Sequence, residues 1–392
     1  MQSFKDFTAK PRRNLHLDHV DETLFIDGDA GATKALDLLE SPYFITQKYD
    51  GAPSIFCGTD PEDGQFFVAT KSVFNKTPKL YKTEESIVAN EKSGKAQKLC
   101  EALKWLPMLN IPSDTVLQGD LLWTSGDHVY ETYNGERLVT VHPNTLVYGW
   151  LAESDEGRAV RNAEIGIVFH TTYRGRNDLQ NYQATFGANV DKLKEHRAIW
   201  VRDARYTSDF ELDEDTKTLI ETCRKRVGSF DQIIEIENLI PTTMIGSSVK
   251  AYANSYVRDG ICLSEMTVND YREFVVEKYV GKIDNLITES AIDKRKVQLR
   301  QFNKSIREAT DAYANAFEYV AIMNFIKENI IKDLNKSNPQ QVFVKKADGE
   351  LVETNTEGYV FVDRNGSGVK VVDRESFSYF NFSSDYIKGW QK

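Results

Sequence analysis

The sequence predicts an α+β protein in which two β-rich parts of the chain flank a helical block. Residues 43–72 and 115–173 contain short apolar runs separated by turn residues, which indicates strands. Residues 242–338 contain no proline and are rich in Ala, Glu, Lys, Ile and Leu, which indicates helices, and strand patterns return after Pro339. With 392 residues, the chain is long for a single domain.

The first β-rich part follows a short helix, which is predicted at residues 30–39. YFITQKY, PSIFCG and QFFVATKS predict a β-meander over residues 43–72, since the turn-forming DPEDG separates the last two runs. Helical signals follow at 83–106. Further strands are predicted at 115–123, 138–142, 145–152 and 165–173.

The helical block ends in the segment IREATDAYANAFEYVAIMNFIKENIIKDL, whose apolar residues recur every three to four positions. This spacing predicts a long amphipathic helix that ends before Pro339. Four strand patterns follow, and Asn365-Gly366 predicts a hairpin between the last two. The simplest division is a discontinuous domain of residues 1–175 and 340–392 with a mainly helical insertion or accessory domain at 176–339.

Composition excludes some classes of protein. No run of about eighteen apolar residues is present, which predicts that nothing spans a membrane. The first residues lack the apolar stretch of a secretory signal, and the four cysteines form no CxxC pair, so we expect a cytoplasmic protein. The net charge of −10 argues against a protein that coats nucleic acid nonspecifically, yet it permits an enzyme with a local basic groove.

The segment QKYDG places Lys48, Asp50 and Gly51 at the end of a predicted strand. Side chains alternate along a strand, so Lys48 and Asp50 share a face, and Gly51 lets the chain turn or lets a ligand approach the backbone. A lone KxDG is most often a surface ion pair. The alternative is a lysine nucleophile that attacks a nucleotide α-phosphate, with Asp50 orienting it or binding ribose.

Other predicted strands also carry polar residues among apolar neighbours. Lys71 follows FVAT and precedes a basic loop, and Asp120 lies within VLQGDLLW. Each has an ordinary structural explanation when taken alone. The other candidate residues in predicted strands are Tyr148 and Trp150 in VYGWL, Glu357 in TEGYVF, and Lys370 in VKVVD.

Together and in this order, these segments resemble the motifs of the covalent nucleotidyltransferases, the polynucleotide ligases and mRNA-capping enzymes. The resemblance implies an ATP-grasp-like domain with antiparallel sheets, in which Lys48 becomes nucleotidylated. Asp120 matches the residue that binds ribose, and Trp150, or else Tyr148, matches the ring that stacks on the base. The nucleotide-binding residues implied are Gln47, Asp50, Gly51, Lys71, Asp120, Tyr148, Trp150, Glu357 and Lys370.

Two positions depart from the family pattern. Asp120 stands where the family usually has glutamate, which shortens the reach to the ribose. Val372 stands where a second phosphate-binding lysine is usual, so we expect Lys370 to contact the α-phosphate with help from Lys71 or Arg374. We also expect that a lysine at position 372 would be tolerated.

The resemblance implies an ATP-dependent RNA ligase that joins 5′-phosphate and 3′-hydroxyl ends. Its motifs are closest to phage RNA ligases, and HLDHVDETLFIDG and ATKSVFNKTPK resemble a related tailed-phage family, which would place the protein in an infected host cell. About twenty residues follow Lys370, too few for the OB-fold of DNA ligases, which favours RNA over DNA as the nucleic-acid partner. The alternatives are a DNA ligase, a capping-type guanylyltransferase, and a degenerate relative that only binds nucleic acid.

The implied cofactors are ATP and Mg²⁺ or Mn²⁺, with Glu357 as the carboxylate nearest the metal. A lysine must be neutral to attack phosphorus, so we expect burial and the charges of Lys71 and Lys370 to lower the pKa of Lys48. His170 in IVFHTTYRG is predicted to be a strand histidine without a catalytic role. Arg174 and Arg176, which follow it, either contact a phosphate backbone or lie in a solvated loop.

Overall fold

Helices and mostly antiparallel strands alternate in the computed structural model, which describes residues 17–206, 210–239, 248–338 and 340–389. The chain is α+β, as the sequence predicts. The helices are α1 (Leu24–Glu40), α2 (Glu84–Val88), α3 (Ser93–Trp105), α4 (Asp155–Asn162), α5 (Glu214–Arg224), α6 (Phe230–Glu237), α7 (Ser248–Asp259), α8 (Val268–Ile283), α9 (Glu289–Glu308), α10 (Thr310–Asn335) and α11 (Tyr379–Phe382).

The strands of the described residues form three sheets. Sheet A has the order β12-β1-β15-β16, sheet B the order β10-β9-β5-β2-β3-β4 with β11 also paired to β9, and sheet C the order β14-β13-β8-β7-β6. The strands are β1 (Phe44–Lys48), β2 (Ser54–Thr59), β3 (Phe66–Ala69), β4 (Leu80–Tyr81), β5 (Thr115–Thr124), β6 (Val129–Tyr133), β7 (Glu136–Val141), β8 (Leu146–Leu151), β9 (Ile165–Arg174), β10 (Gln183–Phe186), β11 (Ile199–Asp203), β12 (Arg205–Tyr206), β13 (Gln341–Lys345), β14 (Leu351–Glu353), β15 (Gly358–Val362) and β16 (Gly368–Val372).

The predicted meander over residues 43–72 is divided between two sheets. β2 and β3 pair with each other in sheet B, as predicted. β1 instead pairs with β15 in sheet A, with Lys48 opposite Gly358. The prediction of one continuous meander is therefore wrong, because β1 finds its partner more than 300 residues further along the chain rather than in its neighbour.

The helical part of the chain starts later than the predicted boundary at residue 176. β10 and β11 pair with β9, and β12 pairs with β1, so residues 183–206 extend the sheets that the N-terminal part begins. Helices follow from Glu214 to Asn335 over the described residues of this part. The predicted division into a nucleotidyltransferase domain and a helical accessory domain stays a prediction.

The helices cover one face of sheet A. A single apolar cluster joins α1 and α5–α10 to Ile45, Tyr359, Phe361, Val369 and Val371. Because side chains alternate along a strand, the residues between them point to the opposite face, toward sheet B. None of the described helices is long and apolar enough to cross a membrane.

Candidate active site

Lys48 lies at the end of β1 and faces a pocket between sheets A and B. Its side chain is 26% exposed, and its Nζ lies 3.0 Å from Glu357 Oε1. Glu357 reaches this position because the next residue, Gly358, pairs with Lys48. Gly358 has a φ of +139°, and a Cβ there would lie 2.2 Å from the carbonyl oxygen of Val371. Only glycine fits this close pairing of β15 with β16, which holds Glu357 beside the lysine.

Facing strands of the two sheets form the walls of the pocket. In β16, Val369 and Val371 pack against the helices, so the alternation of the strand directs Lys370 into the pocket. Asp120 enters from β5 of sheet B. The pocket is lined by Leu17, Thr46, Gln47, Lys48, Tyr49, Gln118, Asp120, Val168, His170, Thr171, Tyr173, Phe186, Ala204, Val360 and Lys370.

The pocket concentrates carboxylates around Lys48. Burial raises the pKa of Asp120 to about 7, with Asp50 adding to the shift, while Lys48 and a hydrogen bond from Ser54 oppose it. Burial also raises the pKa of Glu357. Each group is therefore easier to protonate than an ordinary carboxylate.

Lys48 itself is held in its charged form. Burial acts to lower the pKa of Lys48, but the charges of Glu357, Asp120 and Asp50 outweigh burial and raise it. The expectation of a lowered pKa is wrong for this state of the protein. That expectation rested on the neighbouring cations and left out the neighbouring carboxylates, whose charges favour the protonated lysine. The pKa that is lowered is that of Lys370, through burial and the charge of Lys48.

Asp50 orients the loop before β8 and does not line the pocket. Its carboxylate accepts hydrogen bonds from Asn144 Nδ2 at 2.8 Å, from the Thr145 amide at 2.7 Å and from the Leu146 amide at 2.8 Å. The expectation that Asp50 binds ribose is wrong, because both of its oxygens are engaged inside the protein. Burial, with the charge of Glu357, raises its pKa to about 6.

Gly51 serves the packing of two strands rather than the approach of a ligand. A Cβ at this position would lie 2.8 Å from Asp120 Cβ and 2.8 Å from the carbonyl oxygen of Leu121. Any larger residue would push β5, and with it Asp120, away from Lys48. The glycine of QKYDG therefore sets the depth of the pocket.

The ring predicted to stack on a nucleobase is buried elsewhere. Trp150 is 1% exposed and packs against Trp123 and Trp200, with centroid distances of 6.0 and 5.9 Å. Tyr148 is fully buried, and its Oη accepts a hydrogen bond from the Asp50 amide at 2.6 Å. Both predictions are wrong, because β8 belongs to sheet C, whereas the strand that pairs with β5 beside Asp120 is β9.

The rings that do line the pocket were assigned no site role from sequence. They are Tyr49, His170, Tyr173 and Phe186. His170 is 28% exposed at the side chain, and its Nε2 lies 3.8 Å from Asp120 Oδ2. Burial and the charge of Lys48 lower its pKa to about 4, so the ring is neutral near pH 7. The one signal in the sequence was its position directly after the apolar run IGIVF, which histidines of a protein core share.

Of the three cations predicted to hold the phosphate, only Lys370 lines the pocket. Arg374 is buried and forms ion pairs with Asp21 at 3.1 Å and with Glu22 at 3.0 Å, so its predicted contact with the phosphate is wrong. Val372 is 2% exposed and lies in the apolar cluster that includes Tyr148. A lysine at position 372 would place a charge in this apolar cluster, so the burial of Val372 argues against the expected tolerance of lysine there, which stays a prediction.

Lys71 and Gln47 differ in how far they enter the site. Lys71 is exposed in the turn after β3 and does not line the pocket, although Ser54 pairs with Asp120 and Phe56 with Ala69, which places this turn at the same end of sheet B. Gln47 lines the pocket, and its buried Nε2 has no hydrogen-bond partner in the described chain.

Over the described ranges, no group of three or more His, Cys, Asp or Glu side chains could hold a metal ion. Glu357 pairs with Lys48 at 3.0 Å, and Asp120 lines the same pocket. Magnesium is commonly held by one or two carboxylates together with substrate phosphates. The residues present fit a metal that arrives with a nucleotide better than one bound by protein alone.

A protein-family model described as a family of unknown function (DUF6267) matches residues 14–386. This range includes every residue of the pocket described above. Searches of curated proteins and of solved structures find no match to the chain.

Proposed function

This chain belongs to the DUF6267 family, whose function is unknown, and we propose that it is an ATP-dependent RNA ligase that works through a lysyl-AMP intermediate. The observation that carries the proposal is the convergence of four distant segments on one pocket. Lys48, Asp120 and Lys370 line it, and Glu357 pairs with Lys48. All four positions belong to motifs that resemble those of the covalent nucleotidyltransferases.

The proposed reaction begins when Lys48 Nζ attacks the α-phosphorus of ATP. A nitrogen–phosphorus bond forms and the bond to pyrophosphate breaks, which requires Lys48 to lose a proton first. Glu357 can accept that proton, because it lies 3.0 Å away and burial raises its pKa. Lys370 stabilises the negative charge that develops on the phosphate. The AMP then passes to the 5′ phosphate of an RNA, and attack by a 3′ hydroxyl joins the ends and releases AMP.

The other residues of the pocket have supporting roles in this proposal. Asp120 binds the ribose, and His170 or Phe186 takes the place beside the base that Trp150 cannot take. Glu357 would hold a Mg²⁺ or Mn²⁺ ion, directly or through water, and that ion would neutralise charge on the phosphates. The two facing sheets support the ATP-grasp-like nucleotidyltransferase fold that the motifs imply.

The test is intact mass spectrometry of the protein incubated with Mg²⁺ and, separately, ATP, GTP or NAD. We expect ATP to add the mass of one AMP, in an acid-labile bond that is absent in Lys48→Ala. Lys345→Ala is the matched control, because Lys345 is also half-buried and paired with a glutamate, Glu131, at 2.9 Å, but lies outside the pocket. An adduct in Lys48→Ala would refute the assignment of the nucleophile.

Two observations favour a second candidate, a nucleotide-binding relative that does not turn over. The pKa of Lys48 is raised, and Val372 offers no second cation for the phosphate. Calorimetric binding of ATP without any covalent adduct would support this candidate over the ligase.

The proposed substrate is tested with labelled strands. We expect the protein to join RNA ends that carry a 5′ phosphate and a 3′ hydroxyl, as the likeness to phage RNA ligases implies. Sealing of nicked duplex DNA without activity on RNA would favour the DNA ligase, and adduct formation with GTP alone would favour the guanylyltransferase.

A further inference from the structure

Two loops of sheet B, one between β3 and β4 and the other between β9 and β10, contact each other beside the pocket and carry cations. The loop of residues 71–79 has the sequence KSVFNKTPK, with three lysines and no acid, in a chain whose net charge is −10. The loop of residues 175–182 follows β9 and contains Arg176. Lys71, Lys76, Lys79 and Arg176 are exposed, and none of them forms an ion pair with another described residue.

The two loops are held together by specific contacts. Phe74 packs against Tyr173 with ring centroids 4.4 Å apart, and Gln180 Nε2 donates a hydrogen bond to the Lys76 carbonyl at 3.3 Å. Val73, Phe74, Leu179 and Tyr182 belong to one apolar cluster beneath the loops. The arrangement of the cations is therefore built on a packed base.

The same contacts connect the loops to the pocket. Tyr173 lines the pocket, and its Oη donates a hydrogen bond to Gln118 Oε1 at 2.7 Å. Gln118 Nε2 in turn donates to Ser54 Oγ at 3.2 Å, and Ser54 pairs across the strands with Asp120. A surface that starts at the loops thus continues along sheet B to the residues that face Lys48.

We propose that Lys71, Lys76, Lys79 and Arg176 form a cationic surface that binds the phosphate backbone of a single-stranded RNA and leads its end to Lys48. Exposed cations without an ion pair to a described residue, of which Lys79 also lies over the Tyr81 ring at 5.7 Å, match a polyanion. Phosphate contacts position a strand without reading its sequence. The identity of the strand rests on the proposed ligase function, whereas binding of a phosphate backbone rests on the loops.

Arg174 provides a matched control within the same segment. It is exposed and unpaired among the described residues, like Arg176, but it is the last residue of β9. Tyr173 faces the apolar cluster and the pocket, so alternation directs Arg174 to the other face of sheet B. Its removal takes away the same charge at almost the same place in the sequence.

The test measures fluorescence anisotropy of a short labelled RNA with a 5′ phosphate across a range of salt concentrations, with DNA of the same sequence as a second arm. Each phosphate contact of a single strand contributes about 0.7 to the slope of log K against log salt. Lys76→Ala/Lys79→Ala/Arg176→Ala should therefore lower the slope by about 2 and the affinity near 0.1 M salt by about a hundredfold. Arg174→Ala should leave both unchanged.

Lys76→Arg/Lys79→Arg should keep the slope, which would show that charge rather than folding carries the effect. An unchanged slope in the triple alanine variant, an equal loss in Arg174→Ala, or binding of DNA but not RNA would overturn the proposal. Formation of the AMP adduct by the unmodified protein is measured without RNA, so a failure of the ligase chemistry is seen separately from a failure of this surface.

Discussion

Two clusters of charged side chains meet at β16. We call the one around Asp21 the closed cluster, because it is buried, and the one around Lys48 the open cluster, because it lines the pocket. On one side, Lys48, Lys370 and Asp120 line the pocket, and Glu357 pairs with Lys48. On the other side, Asp21 lies in a network in which its side chain is 1% exposed. The two clusters are joined through the main chain, since the Lys370 amide donates a hydrogen bond to the Asp18 carbonyl at 2.9 Å.

In the closed cluster, each carboxylate oxygen of Asp21 and Glu22 forms an ion pair with a lysine or an arginine. Asp21 Oδ1 lies 2.9 Å from Lys327 Nζ, and Oδ2 lies 3.1 Å from Arg374. Glu22 pairs with Arg374 at 3.0 Å and with Lys250 at 2.9 Å. Burial acts to raise the pKa of Asp21, but Lys327 and Arg374 outweigh it and lower the pKa. The network is complete without a ligand.

In the open cluster, the pKa of Asp120 shifts in the opposite direction, upward. Burial raises the pKa of Asp120 to about 7 against the opposing charge of Lys48, and the His170 ring, which lies 3.8 Å away, is neutral near pH 7. Buried charge that the protein leaves uncompensated is typical of a functional site, whereas compensated charge is typical of structure. Asp21 has a cation at each carboxylate oxygen, whereas Asp120 forms no ion pair with a lysine or arginine among the described residues, and the following variants test this difference.

The largest expected effect is on the closed cluster. Asp21→Asn removes the charge that compensates Lys327, whose side chain is fully buried, so we expect the free energy of unfolding to fall by about 3–5 kcal/mol. Urea unfolding near pH 7 measures it. The control is Lys34→Ala, which breaks a pair with Asp363 in which the lysine is 60% exposed and should cost less than about 1 kcal/mol. Equal losses in the two variants would contradict the distinction.

The next effect is on the chemistry of the open cluster. Among the described residues, Lys370 is the one lysine or arginine that lines the pocket besides Lys48. Lys370→Ala therefore removes the cation that we propose binds the phosphate. By analogy with the loss of an oxyanion-hole donor, about 2.7–4 kcal/mol, adenylylation of Lys48 should slow about a hundred- to a thousandfold. Single-turnover labelling measures the rate, with Lys345→Ala as control. A normal rate would move the phosphate contact to Lys71, since Arg374 is paired with Asp21 and Glu22.

Local patterns in the sequence predicted most of the elements. The apolar runs gave β2, β5, β8 and β9 to within a few residues, and the helical period predicted α10. What they did not contain was the pairing of the strands, because period and turn residues do not say which strands become neighbours. β1 and β15 therefore could not be joined from pattern alone.

The same limit explains which site residues were found. Lys48, Asp120, Glu357 and Lys370 were found because the motif likeness supplies their type and order. Trp150 was misassigned because its strand fits the motif but lies in sheet C. His170 was missed because its role follows from the pairing of β9 with β5, which brings it within 3.8 Å of Asp120.

A smaller effect is expected for the ring that replaces Trp150. His170→Ala should weaken ATP binding by about 1–3 kcal/mol, the usual contribution of a ring that stacks on a base. Calorimetry in a Lys48→Arg background measures binding without an adduct and keeps the positive charge that helps to lower the pKa of His170. Because the pKa of His170 lies at about 4, the loss should be the same at about pH 6 and about pH 8. Trp150→Phe, the control, should leave ATP affinity unchanged, and a loss there instead would restore the motif assignment.

The last effect concerns the pH dependence of stability, and its sign distinguishes a carboxylate whose pKa is raised on folding from one whose pKa is lowered. The pKa of Asp120 is raised from 3.8 to about 7, so the folded state binds this proton more tightly than the unfolded state. Stability from this group is full below pH 3.8 and is lost as the pH rises through about 7, by at most about 1.4 kcal/mol per pH unit. Asp120→Asn cannot titrate, so it should gain stability at about pH 8 and change little at about pH 4.

Asp127→Asn is the control of opposite sign. Burial acts to raise the pKa of Asp127, but hydrogen bonding to Lys98 lowers it, so loss of this carboxylate should reduce stability at about pH 8. Urea unfolding at the two pH values decides between them, and a loss of stability in Asp120→Asn at about pH 8 would show that Asp120 is compensated in the folded protein after all.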